Sequence, residues 1–235
     1  MKGVLVRVGI DSSCGFWNAP YDPRTGNFVY VPIPEEGVAR RPNLVCRYAE
    51  VTSALEAMEI AMPSHLGGIP MHLDPDFEAL TYGDVHPRSI PLLDLEAGDF
   101  IVFYAGLQPV GAGRQGLVYA LIGFYAVKEV VDAADVPQAR WHENAHTRRR
   151  IRCGDDVIVR AVKGRSGRFD RAIPIGEYRD RSYRVRSQLL KEWGGLTVKD
   201  GFIQRSGKLP EFLEPERFLK WLAKQGRHLK QRNNP

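Results

Sequence analysis

The chain has 235 residues, 43% of them hydrophobic and 26% charged, and 33 lysines and arginines against 28 aspartates and glutamates give a net charge of +5. This is an ordinary globular composition, which excludes a disordered chain, a coiled coil and a collagen-like repeat. The length favours one large domain, or one domain with a small appendage.

The sequence shows no pattern typical of a membrane-spanning, secreted or disulfide-bonded protein. The longest apolar stretches, such as residues 117–127, fall short of the ~20 residues that a membrane-spanning helix needs, and the first residues lack a signal-peptide core. Three widely spaced cysteines form neither a disulfide framework nor a CxxC metal clip. We therefore expect a cytoplasmic protein without a membrane partner. Neither a cofactor nor an oligomeric state is indicated.

The opening half of the chain predicts a buried strand, an edge strand, a helix and a polar loop. The strand Val4–Ile10 ends in a turn, Asp11–Gly15, and an edge strand is expected at Phe28–Ile33. Apolar residues recur at helical spacing within Arg47–Ala61. A loop dense in titratable groups, His72–Glu78, follows.

The second half predicts further strands and then helices. Strands are expected at Phe100–Ala105, at Leu117–Val131 with a possible break near Gly123, at Val157–Val162 and at Arg171–Ile175. One helix ends at Trp193, and a C-terminal helix runs from Pro215 to Gly226. The pattern predicts an α+β fold with a mixed or barrel-like sheet and flanking helices. We expect a single domain over residues 1–226 and a frayed polar tail over residues 227–235.

Positive charge is concentrated late in the chain. Residues 1–139 contain 9 basic and 17 acidic residues, whereas residues 140–191 contain 15 and 6. Arginines there suit bidentate contacts to phosphate, and interleaved aromatic rings could stack on bases. The alternative is a solvated basic face that pairs with the acidic first half. The predicted nucleic-acid-binding residues are Asn144, His146, Arg148, Arg149, Arg165, Arg168 and Arg205.

Two polar segments are candidates for chemistry. Asp11 ends a strand, where a side chain reaches the rim of a sheet, and His72, Asp74 and Asp76 share one loop. Such carboxylates could act as a general base or bind a cation. The alternative is that each aspartate caps its own turn. We predict that Asp11, His72, Asp74 and Asp76 converge on one catalytic pocket.

The segment His142–His146 matches H-E-x-x-H, in which two histidines on a helix bind zinc. A ligand helix of this kind needs a long buried apolar face, but this segment lies between Pro137 and three consecutive arginines, Arg148–Arg150. We therefore predict no metal site here, and none elsewhere in the chain.

Two stretches carry resemblances to known families. Gly98–Tyr104, followed by Leu121–Val127, looks like the two central strands of PUA-like domains, the barrels that include EVE and ASCH modules. The longer resemblance is to the nucleotide modification associated domain 3 family of proposed DNA base hypermodification proteins. It is carried by the segments Leu5–Ser13, Val31–Glu35, His72–Asp76, Gly98–Phe100, Asn144–His146, Glu192–Leu196 and Gln204–Ser206.

These resemblances imply a role in modifying nucleobases, with DNA or a nucleotide as the partner and RNA as a further possibility. They do not identify the reaction. Two function classes stay open: an enzyme that uses the aspartate and histidine cluster, and a non-catalytic reader of modified bases. In a reader, Tyr104, Trp141 or Trp193 would stack on the base.

Overall fold

The computed structural model describes residues 1–111, 116–150, 156–204 and 208–235. The strands within them are β1 (Gly3–Arg7), β2 (Pro20–Tyr21), β3 (Ile33–Pro34), β4 (Met71–His72), β5 (Thr81–Asp84), β6 (Phe100–Pro109), β7 (Val118–Asp132), β8 (Val157–Ala161), β9 (Gly167–Pro174), β10 (Gly176–Arg179), β11 (Ser182–Val185) and β12 (Leu229–Lys230). The α-helices are α1 (Thr52–Glu56), α2 (Ile90–Leu93), α3 (Ala145–Arg148), α4 (Ser187–Trp193) and α5 (Pro215–Lys224). Short 3₁₀ helices lie at Pro42–Leu44, Tyr48–Val51, Ser64–Leu66, Ala133–Asp135, Gln138–Glu143 and Lys199–Gly201.

A mixed sheet of eight strands organises the molecule. Its central path is β1-β6-β7-β8-β5, with β2 beside β6 and with β9 and β12 continuing from β7. β1 and β2 run parallel to β6, and the remaining pairs of this sheet are antiparallel. The 15-residue strand β7 pairs with β9 through its first half and with β8 through its second. β7 therefore connects the C-terminal part of the chain to the β5 edge.

Both faces of the sheet are covered, because alternate side chains of β1 and β6 enter two different cores. Val4 and Ile101 pack into a core formed largely by the first half of the chain. Leu5 and Phe100 pack into a second core that includes Trp193 of α4 and residues of α5. The continuous apolar sequence of these strands reflects this burial on two sides.

The predicted α+β class with a mixed sheet is confirmed. Within the described residues the strands do not close into a barrel, and the likeness to PUA-like domains stays a prediction. The helix predicted at Arg47–Ala61 is shorter, being a 3₁₀ turn that continues into α1. No helix in the described parts of the chain is long and apolar enough to span a membrane.

Two predictions about the chain's periphery are wrong. The edge strand predicted at Phe28–Ile33 is reduced to Ile33–Pro34. The reason is that the Tyr30 backbone makes its hydrogen bonds with a side chain: its N–H donates to Asn234 Oδ1 and its carbonyl accepts from Asn234 Nδ2, each at 2.8 Å. The tail does not fray: β12 pairs with β9, and Asn233 accepts a hydrogen bond from the Phe77 N–H at 2.8 Å.

A candidate active site of two histidines and an aspartate

The site is built on two short extended segments. His72 ends β4, which pairs with β3 so that His72 lies opposite Ile33. Asp74 lies two residues further along, the spacing that places side chains on the same side of an extended chain. The carboxylate of Asp74 accepts a hydrogen bond from the N–H of Gly83 in β5 at 3.0 Å. The edge of the sheet therefore holds Asp74 in place.

Helix α3 brings the second histidine. Asn144 caps this helix: its Oδ1 accepts from the His146 N–H at 2.9 Å, and its Nδ2 donates to Asp74 Oδ1 at 2.8 Å. One buried amide thus fixes both His146 and Asp74. A Cβ at Gly83 would lie 2.5 Å from His146 Cδ2, so the close approach of β5 and α3 requires glycine there.

The three side chains meet with defined orientations. His146 Nε2 lies 3.5 Å and His72 Nε2 lies 4.0 Å from Asp74 Oδ2, and the two imidazole rings are 4.8 Å apart at 78°. Both Nδ1 atoms face other carboxylates: His72 Nδ1 lies 2.7 Å from Glu35 and His146 Nδ1 lies 3.3 Å from Asp156. Each ring therefore lies between an outer carboxylate and the central Asp74.

The neighbouring charges set the protonation of the site. Burial alone would lower the pKa of His146, but hydrogen bonds to Asp156 and Asp74 and the charge of Asp74 raise it to about 9. Burial would raise the pKa of Glu35, but the hydrogen bond and charge of His72 keep it below its usual value. Arg149 Nη2 also contacts His146 Nδ1 at 2.9 Å and Asp156 at 3.1 Å. His146 Nδ1 therefore either donates to Asp156 or accepts from Arg149.

Glu35, His72, Asp74, His146 and Arg149 line a cavity of about 410 Å³, a size within the usual range of ligand sites. Five carboxylates line it: Asp11, Glu35, Glu36, Asp74 and Asp84. Three arginines line it as well, and each has a carboxylate partner: Arg7 with Asp11 at 3.0 Å, Arg88 with Asp84 at 2.9 Å and Arg149 with Asp156 at 3.1 Å. The cavity is consequently acidic, and none of its guanidiniums lacks an ion pair.

Three of the four predicted catalytic residues, Asp11, His72 and Asp74, line this cavity. Asp11 also holds its own turn, because its carboxylate accepts hydrogen bonds from the N–H groups of Ser13 and Cys14 at 2.7 and 2.8 Å. Asp76 lies elsewhere: it lines a neighbouring cavity, and its carboxylate is bound by Arg148 at 2.6 Å. The predicted convergence of all four residues is therefore wrong for Asp76.

The H-E-x-x-H segment does not form one helix. Asn144 is extended (φ −151°, ψ 156°) and separates the 3₁₀ helix Gln138–Glu143 from α3. His142 is exposed, whereas His146 is buried in the cavity wall. Glu143 is buried between Arg140 and Arg160, at 2.6 and 2.7 Å. His142 and His146 therefore do not lie on one face of a helix from which both could bind zinc. Glu143 forms ion pairs with two arginines instead.

The predicted phosphate-binding residues differ in their exposure and in their partners. Asn144 and Arg168 are 0% and 2% exposed, too buried to reach a nucleic acid. Arg148 is held by Asp76 and by the His142 carbonyl, at 2.6 Å each. Arg165 is exposed, and Arg205 lies outside the described residues.

Two of the three predicted stacking residues are unsuitable. Trp193 is 0% and Tyr104 3% exposed, since both rings pack inside the second core. Trp141 is half-buried, and the guanidiniums of Arg40 and Arg41 lie 4.3 and 5.5 Å from its ring centre. Trp141 therefore contacts arginines of a segment that pairs with residues 148–150, where the Arg40 N–H donates to the Arg148 carbonyl and the Arg150 N–H donates to the Val38 carbonyl.

The sequence predictions left out Arg7, Glu35 and Asp156 as parts of the site. They also assigned His146 to a phosphate surface rather than to Asp74. The spacing His72-x-Asp74 was a usable local signal, but His146 joins the pair only through tertiary packing. Its partner Asn144 is 70 residues from Asp74 in the chain.

A family model described as nucleotide modification associated domain 3 matches residues 2–209. The matched range contains every residue that lines the cavity. The chain matches no curated protein and no solved structure.

Proposed function

Because the chain belongs to the nucleotide modification associated domain 3 family, we propose that it is an enzyme that modifies a nucleobase in a nucleic acid or nucleotide. Membership of the family supports a role associated with nucleotide modification. The observation that carries the enzymatic proposal is the convergence of His72, Asp74 and His146 on one cavity. Titratable groups gathered in a cleft are typical of catalytic sites.

The charge of the cavity favours the base over the phosphate. Phosphate would be repelled by the five lining carboxylates, and the three lining arginines already pair with carboxylates. A nucleobase instead presents ring N–H and amino groups, which donate hydrogen bonds to carboxylate oxygens. We therefore propose that the base enters the cavity and that the phosphates stay outside.

Arginines beside the cavity would hold those phosphates. Arg40, Arg41 and Arg150 have no ion pair among the described residues, and Arg150 directly follows the cavity residue Arg149. Trp141 supports the first two through ring contacts. A nucleotide whose base is turned out of the stack would then reach from this surface into the cavity.

The two imidazoles would move protons. Each has one nitrogen against an outer carboxylate, Glu35 or Asp156, and its Nε2 toward Asp74 and the cavity. A carboxylate on the far nitrogen orients an imidazole and supports the positive charge that develops when the ring accepts a proton. His72 and His146 are therefore the proposed acid and base groups.

The alternative, a non-catalytic reader of modified bases, has less support. A reader needs exposed aromatic faces on which a base can stack. The only phenol, phenyl or indole ring among the described residues of the cavity wall is that of Tyr82, which is 3% exposed. The acidic lining also resembles a chemical site more than an aromatic cage.

Mass spectrometry of nucleosides from host cells tests the proposal. Cells that express the wild-type chain should contain a modified nucleoside that is lost in cells with Asp74→Asn. Asp135→Asn, at an exposed position, is the matched control and should retain the product. Identical nucleoside profiles with and without the wild-type gene would reject the enzymatic role.

Binding to single-stranded DNA tests the proposed phosphate surface separately. Replacing both Arg40 and Arg41 by alanine should lower affinity and reduce the slope of log K against log salt by about one to two units. Arg24→Ala is the control, because that side chain is 89% exposed and lies outside the cavity. Unchanged affinity and slope in the double variant would exclude this surface.

A further inference from the structure

Against the sequence-based prediction of no metal site, we propose that His72, Asp74 and His146 together bind one divalent transition-metal ion, through the two imidazole Nε2 atoms and a carboxylate oxygen. As a component of the active site, the ion rests on the proposed function. With the ion bound, both Nε2 atoms would be ligands, and a water on the ion would carry the proton transfer assigned above to the free imidazoles. Its binding is nevertheless measurable without any knowledge of the substrate.

The spacing of the ligand atoms fits one ion. One ligand atom from each of the three residues lies within 4.8 Å of the others. Ligands about 2.1 Å from a tetrahedral ion are roughly 3.4 Å apart. His146 Nε2 and Asp74 Oδ2, at 3.5 Å, already have that separation. A modest inward movement of His72 would complete the set, because His72 Nε2 is 4.0 Å from the same oxygen.

The outer carboxylates supply an independent reason. A histidine that binds a metal through one nitrogen almost always donates a hydrogen bond from the other to a carboxylate, carbonyl or water, which fixes the tautomer. His72 Nδ1 faces Glu35 at 2.7 Å, and His146 Nδ1 faces Asp156 at 3.3 Å. Of the two arrangements open to His146, the one in which Nδ1 donates to Asp156 rather than accepting from Arg149 leaves the Nε2 lone pair toward Asp74, as in His72.

The central carboxylate is prepared in the same way. Asp74 Oδ1 accepts hydrogen bonds from the Gly83 N–H at 3.0 Å and from Asn144 Nδ2 at 2.8 Å. Oδ2 makes its contacts to the imidazoles, so one oxygen anchors the side chain and the other can bind an ion. Asp74 is 8% exposed, which favours a rigid ligand over a mobile surface carboxylate.

Charge points to a cation of two positive charges. With both histidines neutral, the form in which imidazoles bind a metal, the five carboxylates and three arginines lining the cavity leave a formal charge of −2. Two imidazoles with one carboxylate suit Zn²⁺, Fe²⁺ or Co²⁺, whereas Mg²⁺ and Ca²⁺ prefer oxygen ligands. Three protein ligands also leave coordination positions for water or substrate on the cavity side.

Titration of chelator-treated protein with Co²⁺ and Zn²⁺ tests the proposal. We expect one Co²⁺ per chain, with the strong visible absorption of a four- or five-coordinate ion, and its displacement by Zn²⁺. Asp74→Asn and His72→Gln should each weaken Co²⁺ binding at least 100-fold. Glu35→Gln, which removes only an outer partner, should weaken it about 10- to 100-fold. His142→Gln, the exposed histidine of the H-E-x-x-H segment, is the matched control and should bind normally.

Wild-type protein that binds no Co²⁺ at micromolar concentration would overturn the proposal, whether or not any variant folds. So would binding that survives in folded Asp74→Asn, or that is lost in folded His142→Gln. Stoichiometric metal without any nucleoside product would support the ion and count against the proposed function. Nucleoside modification by metal-free protein that also fails to bind Co²⁺ would support the function and overturn the ion.

Discussion

Asn144 is the residue whose removal should most directly separate the two halves of the site. Its side chain is fully buried. Its amide nitrogen donates to Asp74 at 2.8 Å, and its oxygen accepts from the His146 N–H at 2.9 Å. Alanine at this position removes both bonds and leaves the Asp74 carboxylate without its closest donor.

The magnitude follows from the two contacts. A hydrogen bond to a charged group contributes about 1.5–3 kcal/mol, and loss of an N-cap costs about 0.5–2 kcal/mol. Because the two contacts share one side chain, their effects overlap, and we expect Asn144→Ala to lower the free energy of unfolding by about 2–4 kcal/mol. For a chain of this size, 1 kcal/mol corresponds to roughly 2–4 °C, so the melting temperature should fall by about 4–16 °C.

Urea denaturation followed by circular dichroism measures this change. Asn27→Ala is the control, because Asn27 is exposed and its loss should change stability by less than about 0.5 kcal/mol. Asn144→Asp keeps an oxygen for the cap but places it beside Asp74 as a like charge, so it should destabilise at least as much as alanine. A loss below about 1 kcal/mol in Asn144→Ala would refute the role assigned to this amide.

Three further outcomes are expected. Arg148→Ala should lower the free energy of unfolding, measured by urea denaturation, by about 3 kcal/mol, because it leaves the buried Asp76 carboxylate without its cation. Adding Asp76→Asn to this variant should recover part of the loss, and strictly additive effects would disprove the pairing. Asn234→Ala should cost about 1–3 kcal/mol by freeing the N–H and carbonyl of Tyr30, and an unchanged melting temperature would show that the tail does not bind there. Burial raises the pKa of Asp11, but its turn hydrogen bonds and a neighbouring guanidinium outweigh burial and hold that pKa below its usual value. Asp11→Asn should therefore lower stability by about 1–2 kcal/mol at pH 7, and the difference should close as pH falls below about 4; a constant difference from pH 7 to pH 3 would contradict this.

The central strands could be predicted because their signal is local. β6 and β7 are continuous runs of β-branched and aromatic residues, and burial on both faces explains why these runs do not alternate. Residues 28–31 are also buried and apolar but do not extend a strand. Their backbone is bonded in part by the side chain of Asn234, 204 positions away, which no local pattern reports.

The candidate site, like the strands, was predictable only where its signal is local. His72 and Asp74 were recognisable because they share one loop. His146 was not linked to them, because its direction depends on the extended conformation of Asn144 and on contacts with β5. Arg148 was predicted to bind phosphate because its positive charge is visible in the sequence. Its ion pair with Asp76 is not, because the two residues meet only in the folded chain.

The hydrogen bond between Asn233 and the Phe77 N–H has a consequence for the order of events during synthesis. It joins residues 156 positions apart, and Phe77 lies three residues after Asp74. At a translation rate of about 5–20 residues per second, Asn233 is synthesised roughly 8–30 s after Phe77. A nascent chain that lacks residues 229–234 has neither the β9–β12 pair nor the support beneath the loop. The Phe77 N–H therefore gains this hydrogen bond late, after strands β1 to β11 have been synthesised.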